Sequence, residues 1–358
     1  MGQHLSKKRE SRFKISIILP VRNESRCLPG LLQSLVNQDF PQQNFEIIVA
    51  DGGSNDGTRE VVSRFAKTSP VRVLLVDNPK IRSGPGRNAG ARAARGDIIM
   101  FLDGHCELPS RTLLRDTVTI LDETKAECLC RPQPLLASTN SAQGRRIALT
   151  RASALGHGRD SLIYDMEFSG FVDPASSGAT YRREVFDQLG YYDENFDACE
   201  DVEFNTRLRK AGMKAYTDPR LAVYYEARST VHGLFRQMNR YGRGRVRLAI
   251  KHADGISLSQ FAPLILLLMF ACAPAALLLT GFWKIAVLAA PILYLVVVLG
   301  SSIHLARRQG RVFLWQAPPI YLAIHLGLGW GMLLEMLSQA RTKLREPDGN
   351  EERLVMQR

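Results

Sequence analysis

The stretch Gly96-Asp-Ile-Ile-Met-Phe-Leu-Asp-Gly-His-Cys-Glu-Leu-Pro109 decides the fold. Its run IIMFL is apolar without a break and then stops at Asp103-Gly104-His105. A short, wholly apolar run bounded by turn residues is the pattern of a strand buried on both faces of a parallel sheet. In open α/β sheets, ligands bind outside the carboxyl ends of such strands. A carboxylate and an imidazole two residues apart therefore stand where a site belongs.

The same pattern repeats upstream. KISIILP (14–20), 45–50 and 71–76 read as strands, with helices over 25–37, about 58–66 and 84–95, before the strand at 98–102. Strands alternating with helices imply right-handed βαβ units and a nucleotide-binding, doubly wound sheet. Downstream the pattern changes. Helical stretches near 110–122 and 141–155 surround a strand at 126–130, a polar, glycine-rich section covers 156–178, and 200–212 is a helix closed by Gly212.

The chain has 358 residues and a formal charge of +12, which favours an anionic partner such as a nucleotide or a lipid headgroup. Six cysteines form no CxxC pair and no zinc-like spacing, so they read as packed or incidental thiols of a reducing compartment. Cys128 and Cys130 share one strand face. Three stretches, about 261–281, 285–306 and 312–334, contain no acid, Lys or Arg and approach or exceed the ~20 residues that span a bilayer as a helix. The third carries Gln316, Pro318, Pro319 and His325, which suits a kinked, re-entrant or neighbour-buried segment. The polar start reads as lacking a cleavable signal, and Gly2 with Ser6 makes a weak myristoylation match. Residues 229–252 are strongly basic and precede the first span, which favours a cytoplasmic location and contact with anionic headgroups. Clustering of the charge there argues against nucleic acid as the partner.

Five short stretches carry chemistry. Pro20-Val-Arg-Asn-Glu24 follows the first strand, and Asp51-Gly-Gly-Ser-Asn-Asp-Gly-Thr58 follows the second. The latter is also an ordinary turn, with Asp56 capping the next helix. Asp103 and His105 can share a divalent ion whose remaining ligands are phosphate oxygens, and imidazole suits Mn2+ better than Mg2+. Glu200-Asp201 opens a helix, either as acids favoured by its dipole or as a general base. Gln237-Met-Asn-Arg240-Tyr241 offers a cation for a diphosphate and a ring for a sugar, or simply a solvated basic helix.

Taken in order, PVRNE, DGGSNDGT, RNAGARAARGDIIMFLDGH, SSGATYRREVFDQLGYYDENF, the ED helix and QMNRY resemble the family 2 inverting glycosyltransferases over about residues 14 to 245. DGH and ACEDVEF are most similar to the bacterial exopolysaccharide, succinoglycan-type branch. The resemblance implies a GT-A nucleotide-diphospho-sugar transferase fold, an α/β architecture with a Rossmann-like, mostly parallel sheet, followed by C-terminal transmembrane helices. It implies a tail over 1–13, a catalytic domain over 14–228, a basic amphipathic interface segment over 229–257, a membrane region over 258–338 and a tail over 339–358.

It also implies roles. Asp51 meets the nucleobase, with Pro20, Arg22 and Glu24 lining its pocket, and Arg87 and Asn88 join the nucleotide-sugar contacts. Asp103 and His105 handle the diphosphate and its Mn2+ or Mg2+. Asp201 is the base, with Glu200 beside it. Gln237, Arg240 and Tyr241 resemble the QxxRW element of processive synthases with Tyr for Trp, which, with a three-span region, favours addition of a single sugar. The expected donor is a UDP-sugar. The expected acceptor is a polyprenyl-diphosphate-linked saccharide at the inner membrane, with membrane lipids as further partners. A polyprenyl-phosphate sugar synthase and a non-catalytic anion- or lipid-binding membrane protein are the alternatives.

Overall fold

The computed structural model describes residues 13–136, 141–157, 162–253 and 258–345. The myristoylation match at Gly2 and Ser6 lies outside them. The chain divides into two compact units, one holding the described residues up to 136 and 162–227, the other holding 141–157 and those from 228 onward.

The first unit is built as the apolar runs dictate. Its strands are β1 (Phe13–Val21), β2 (Phe45–Asp51), β3 (Arg72–Asp77), β4 (Gly96–Phe101), β5 (Cys106–Glu107), β6 (Cys128–Cys130), β7 (Leu135–Leu136), β8 (Gly170–Val172), β9 (Gly178–Arg182), β10 (Ala215–Thr217) and β11 (Tyr224–Glu226). Eight of them form one sheet in the order β3-β2-β1-β4-β9-β6-β10-β8, and β5, β11 and β7 form a small second sheet. β3, β2, β1 and β4 run parallel; β9 is antiparallel to both β4 and β6, so β6 and β10 run with β4.

Helices α1 (Leu28–Val36), α2 (Thr58–Thr68), α3 (Ser83–Ala93) and α4 (Leu113–Thr124) connect the strands. On β1 and β4 alternate residues face opposite cores. Ile15, Ile17, Leu19, Ile98 and Met100 meet α1, α2 and α4, whereas Ile18, Ile99 and Phe101 face the other side. There they meet α3 and two later helices, α7 (Arg183–Leu189) and α8 (Glu200–Lys210), numbered after α5 (Ala142–Arg151) and α6 (Ala154–His157) of the second unit. Both faces are thus covered, as the unbroken apolar runs require. Cys128 and Cys130 are buried in the second core.

The second unit gathers α5, α6, α9 (Val231–Lys251), α10 (Ala262–Cys272), α11 (Gly281–Gln309) and α12 (Phe313–Arg345). Thr230 caps α9 by accepting from the Gly233 N–H. Among the described residues, three helical stretches are long and apolar enough to cross a membrane: Ser259–Leu278, Gly281–Gln309 and Phe313–Thr342. Over half of the third is buried within the unit, against about a tenth of the first two. The polar and proline residues of that stretch therefore belong to a continuous helix packed on its neighbours. Its seam with α9 is built on glycine: a Cβ at Gly331 would stand 2.0 Å from the Asn239 carbonyl, and one at Gly242 2.1 Å from that of Leu328. Helices in bilayers associate through such small residues. Glu335 is the one acid among the described residues of this unit and is 2% exposed; Arg247 donates to it at 2.7 Å and Arg243 lies 3.7 Å away.

Candidate active site

The parallel strands of the first unit deliver their carboxyl ends to one edge, and two loops are laced together there by four hydrogen bonds. Asn23 N–H donates to Ser54 Oγ, Asn55 N–H to Asn23 Oδ1, Glu24 N–H to Thr58 Oγ1 and Ser25 N–H to Asp56 Oδ2. PVRNE and DGGSNDGT are therefore one structure. Asp56 performs the turn role, since Thr58 and Ser25 donate to it and hold its carboxyl far below the usual range. Asp51 is buried at the end of β2, where Gly53, Ser54 and Arg59 donate to it. Burial alone would raise its carboxyl; these donors outweigh that and lower it. Pro20 is half-buried on β1, and Arg22 is exposed.

The DGH turn packs against this pair of loops. His105 Nδ1 lies 2.9 Å from Glu24 Oε1, and its ring meets Tyr225 edge-on at 4.9 Å. Gly104 makes the approach possible: a Cβ there would stand 2.9 Å from Val21 Cγ1 and 3.1 Å from Glu24 Cγ. Asp103 faces α3, where Arg87 Nη2 lies 3.6 Å from its Oδ1. Burial would push the Asp103 carboxyl up; Arg87, His105 and Arg131 together hold it below its ordinary value.

Arg87 also reaches the far side. Its Nη1 is 3.2 Å from Glu200 Oε1 on α8, and its guanidinium lies 5.6 Å from the Tyr192 ring centre. Glu200 is 6% exposed and its carboxyl is raised, first by burial and then by Asp201 alongside, with Arg87 opposing. Asp201, half-buried, accepts from Val202 N–H at 2.9 Å. Just before them Cys199 holds a left-handed φ of 64°. Such conformations are strained in a residue with a side chain, and they cluster at functional sites.

The structure thus brings Glu24, Arg87, Asp103, His105, Glu200 and, through Glu24, the Asp51 loop into one edge. Asn88 goes elsewhere: its amide is spent on the backbone of Tyr192, through two bonds of 2.9 Å, and on Glu194. It clamps the YYDENF segment and leaves no amide group aimed at a nucleotide. Gln237, Arg240 and Tyr241 lie on α9 in the second unit. There Arg151 donates to Gln237, Gln237 donates to the Tyr241 hydroxyl, and Arg240 is exposed. Two contributors escaped the sequence: the Glu24–His105 pairing, which joins residues 81 apart, and Arg131. The second left a signal, because CLCR repeats the pattern of a buried strand ending in a charge.

Among the described residues no three His, Cys, Asp or Glu side chains gather around a common point. Asp103 and His105 nonetheless fit a divalent ion that takes its other ligands from phosphate oxygens. A metal-binding imidazole is ordinarily oriented by a carboxylate on its other nitrogen, and Glu24 is so placed.

With that geometry in view, the relatives can be set beside it. The model of "Glycosyl transferase family 2" matches residues 16–190, and that of "Glycosyl transferase family group 2" matches 142–334. The succinoglycan biosynthesis protein ExoA of Rhizobium meliloti is 30% identical over 91% of this chain and 96% of its own length. The chain belongs to glycosyl transferase family 2. Its enzymatic class is that of a glycosyltransferase. A dolichyl N-acetyl-alpha-D-glucosaminyl phosphate 3-beta-D-2,3-diacetamido-2,3-dideoxy-beta-D-glucuronosyltransferase of Methanococcus voltae is 28% identical over 64% of this chain and 72% of its own. Among solved structures, the mannosyltransferase PcManGT of Pyrobaculum calidifontis, in complex with GDP-Man and Mn2+, aligns with a TM-score of 0.57 at 20% identity, covering 91% of this chain and 88% of its own. The glycosyltransferase therefore has the GT-A fold, its mostly parallel sheet followed by helices of membrane-spanning length.

Proposed function

We propose that this glycosyltransferase moves one sugar from a nucleotide-sugar, expected to be a UDP-sugar, to a hydroxyl of a polyprenyl-diphosphate-linked saccharide, inverting the anomeric centre. The observation that carries the reading is Arg87, which holds the DGH acid and the ED helix within reach of one guanidinium. A diphosphate-handling carboxylate and a helix-end acid pair are what a displacement at the anomeric carbon requires. Similarity to a succinoglycan biosynthesis protein and to a transferase named for a dolichyl-linked acceptor supports a lipid-borne acceptor, as do the three span-length helices. The basic residues of α9 favour a multi-pass inner-membrane protein with its first unit in the cytoplasm.

Asp201 and Glu200 divide the work by environment. Glu200 is buried and its carboxylate is engaged by Arg87, so it positions rather than takes the acceptor's proton. Asp201, more accessible, takes the proton of the acceptor hydroxyl as that oxygen attacks the face opposite the diphosphate. A Mn2+ or Mg2+ held by Asp103 and His105 supplies charge neutralisation for the departing nucleoside diphosphate. Glu24 keeps the His105 ring oriented, and Asp51 meets the nucleobase, with Pro20 and Arg22 lining its pocket.

The test is nucleotide release from a panel of sugar nucleotides, with Mn2+ or Mg2+, with and without bacterial lipid extract, beside Asp201→Asn. Lipid-stimulated release should fall by about 10²–10⁴-fold in the variant. Undiminished release would point to an acceptor that needs no base, such as a lipid phosphate.

A further inference from the structure

Arg131 follows β6 directly and is 7% exposed, yet its Nε and Nη1 are buried with no hydrogen-bond partner. A buried polar donor left unmade is costly, and a buried cation more so. Arg87 is matched by Glu200 and Asp103; Arg131 is the guanidinium left over. It lies close enough for its charge to act on Asp103 and Arg87, and burial lowers its own proton affinity. The chain beyond it is pinned, because the Pro132 carbonyl accepts from Val223 N–H. Arg131 therefore has little freedom to swing toward solvent.

The sheet register says what belongs there. Leu129 pairs with Thr180 and, across a register shift, Cys130 with Gly178; Thr180 pairs with Met100, so Cys130 stands level with Leu102 and Arg131 with Asp103. Along the strand ends the order is β2 with Asp51, β1, β4 leading to Asp103, β9, then β6 with Arg131. At about 4.8 Å per strand, β6 lies roughly 10 Å beyond β4 on the side away from Asp51. A donor lying along this edge with its base at Asp51 and its diphosphate at Asp103 must put its sugar next.

The geometry points to Arg131 as the residue that grips the transferred sugar, its two unmade donors meeting hydroxyl or carboxylate oxygens of that ring and so fixing which sugar is accepted. This rests on the donor orientation proposed above.

The test is binding by the full chain in detergent with Mn2+, using UDP, UDP-glucose, UDP-glucuronate, GDP and GDP-mannose. The unaltered protein is compared with Arg131→Met and Arg131→Lys. Losing a charged hydrogen bond predicts that Arg131→Met weakens the preferred sugar nucleotide about ten- to a hundredfold while the bare nucleotide stays within about twofold. Arg131→Lys should recover part of the loss. Because two buried nitrogens of the removed guanidinium make no hydrogen bond, Arg131→Met should melt no lower than the parent, whereas a structural arginine would lower the melting temperature. Equal weakening of nucleotide and sugar nucleotide would make Arg131 a diphosphate contact and overturn the assignment. So would unchanged affinities, or a lower melting temperature with all binding lost. If the unaltered chain binds none of the five, the donor-site reading fails first, and this assignment with it.

Discussion

At the scale of single residues, the site depends on two residues that never touch the reacting atoms in the proposed mechanism. Glu24 orients His105 and Gly104 lets the two meet. Glu24→Gln should reduce Mn2+ affinity by about 10–100-fold, the usual effect of removing an outer-shell partner. Gly104→Ala should do the same by pushing Glu24 aside, and the double variant should lose little more, since both act on one contact; metal titration followed by nucleotide binding checks all three. Arg87 sets the pH behaviour. It is the strongest influence lowering the Asp103 carboxyl against burial, so Arg87→Gln lets that carboxyl rise. A higher value means protonation sets in earlier as pH falls. The acid limb of Mn2+-dependent nucleotide binding should therefore move to higher pH in Arg87→Gln, and a limb that stays put or moves lower would refute the pairing.

At the scale of elements, the strand ends were legible and the links between them were not. Asp51, Asp103 and Glu200 each announce themselves where an apolar run or a helix signal meets an acid. The four βαβ strands and the ED helix follow from patterns of a few residues read locally. Asn88 sits beside Arg87 in the motif, yet one helix position turns its side chain toward Tyr192, a packing role that the motif does not record. Glu24 with His105 requires knowing that two loops 81 residues apart share an edge, and no local pattern records that. The third apolar stretch was ambiguous for the same reason: its prolines and histidine make sense only beside the helices that bury it. The glycine seam between α9 and α12 gives this packing a direct check. Gly331→Ala would drive a methyl into the Asn239 carbonyl and should destabilise the unit by about 1–3 kcal/mol, read as a lower melting temperature in detergent. An unchanged transition would show that the helices do not lie that close.

At the scale of the whole molecule, the chain passes between its two units three times, because 141–157 belongs with the helices that follow 228. Ile147 on α5 is fully buried in a cluster with Leu234, Met238, Ile320 and Ile324. A chain ended at residue 228 leaves that face bare, and we expect it to elute as an aggregate on gel filtration. Ile147→Ser in the same fragment should raise the share of monomer. A monodisperse unaltered fragment would refute the assignment of 141–157 to the second unit.

The interruption also imposes a timetable. Residue 157 leaves the ribosome long before α12, which begins at Phe313. At about 5–20 residues per second, α5 waits roughly 8–30 s for the helix it packs against. During that wait its apolar face is a target for chaperones, and faster translation of the intervening stretch should shorten the exposure.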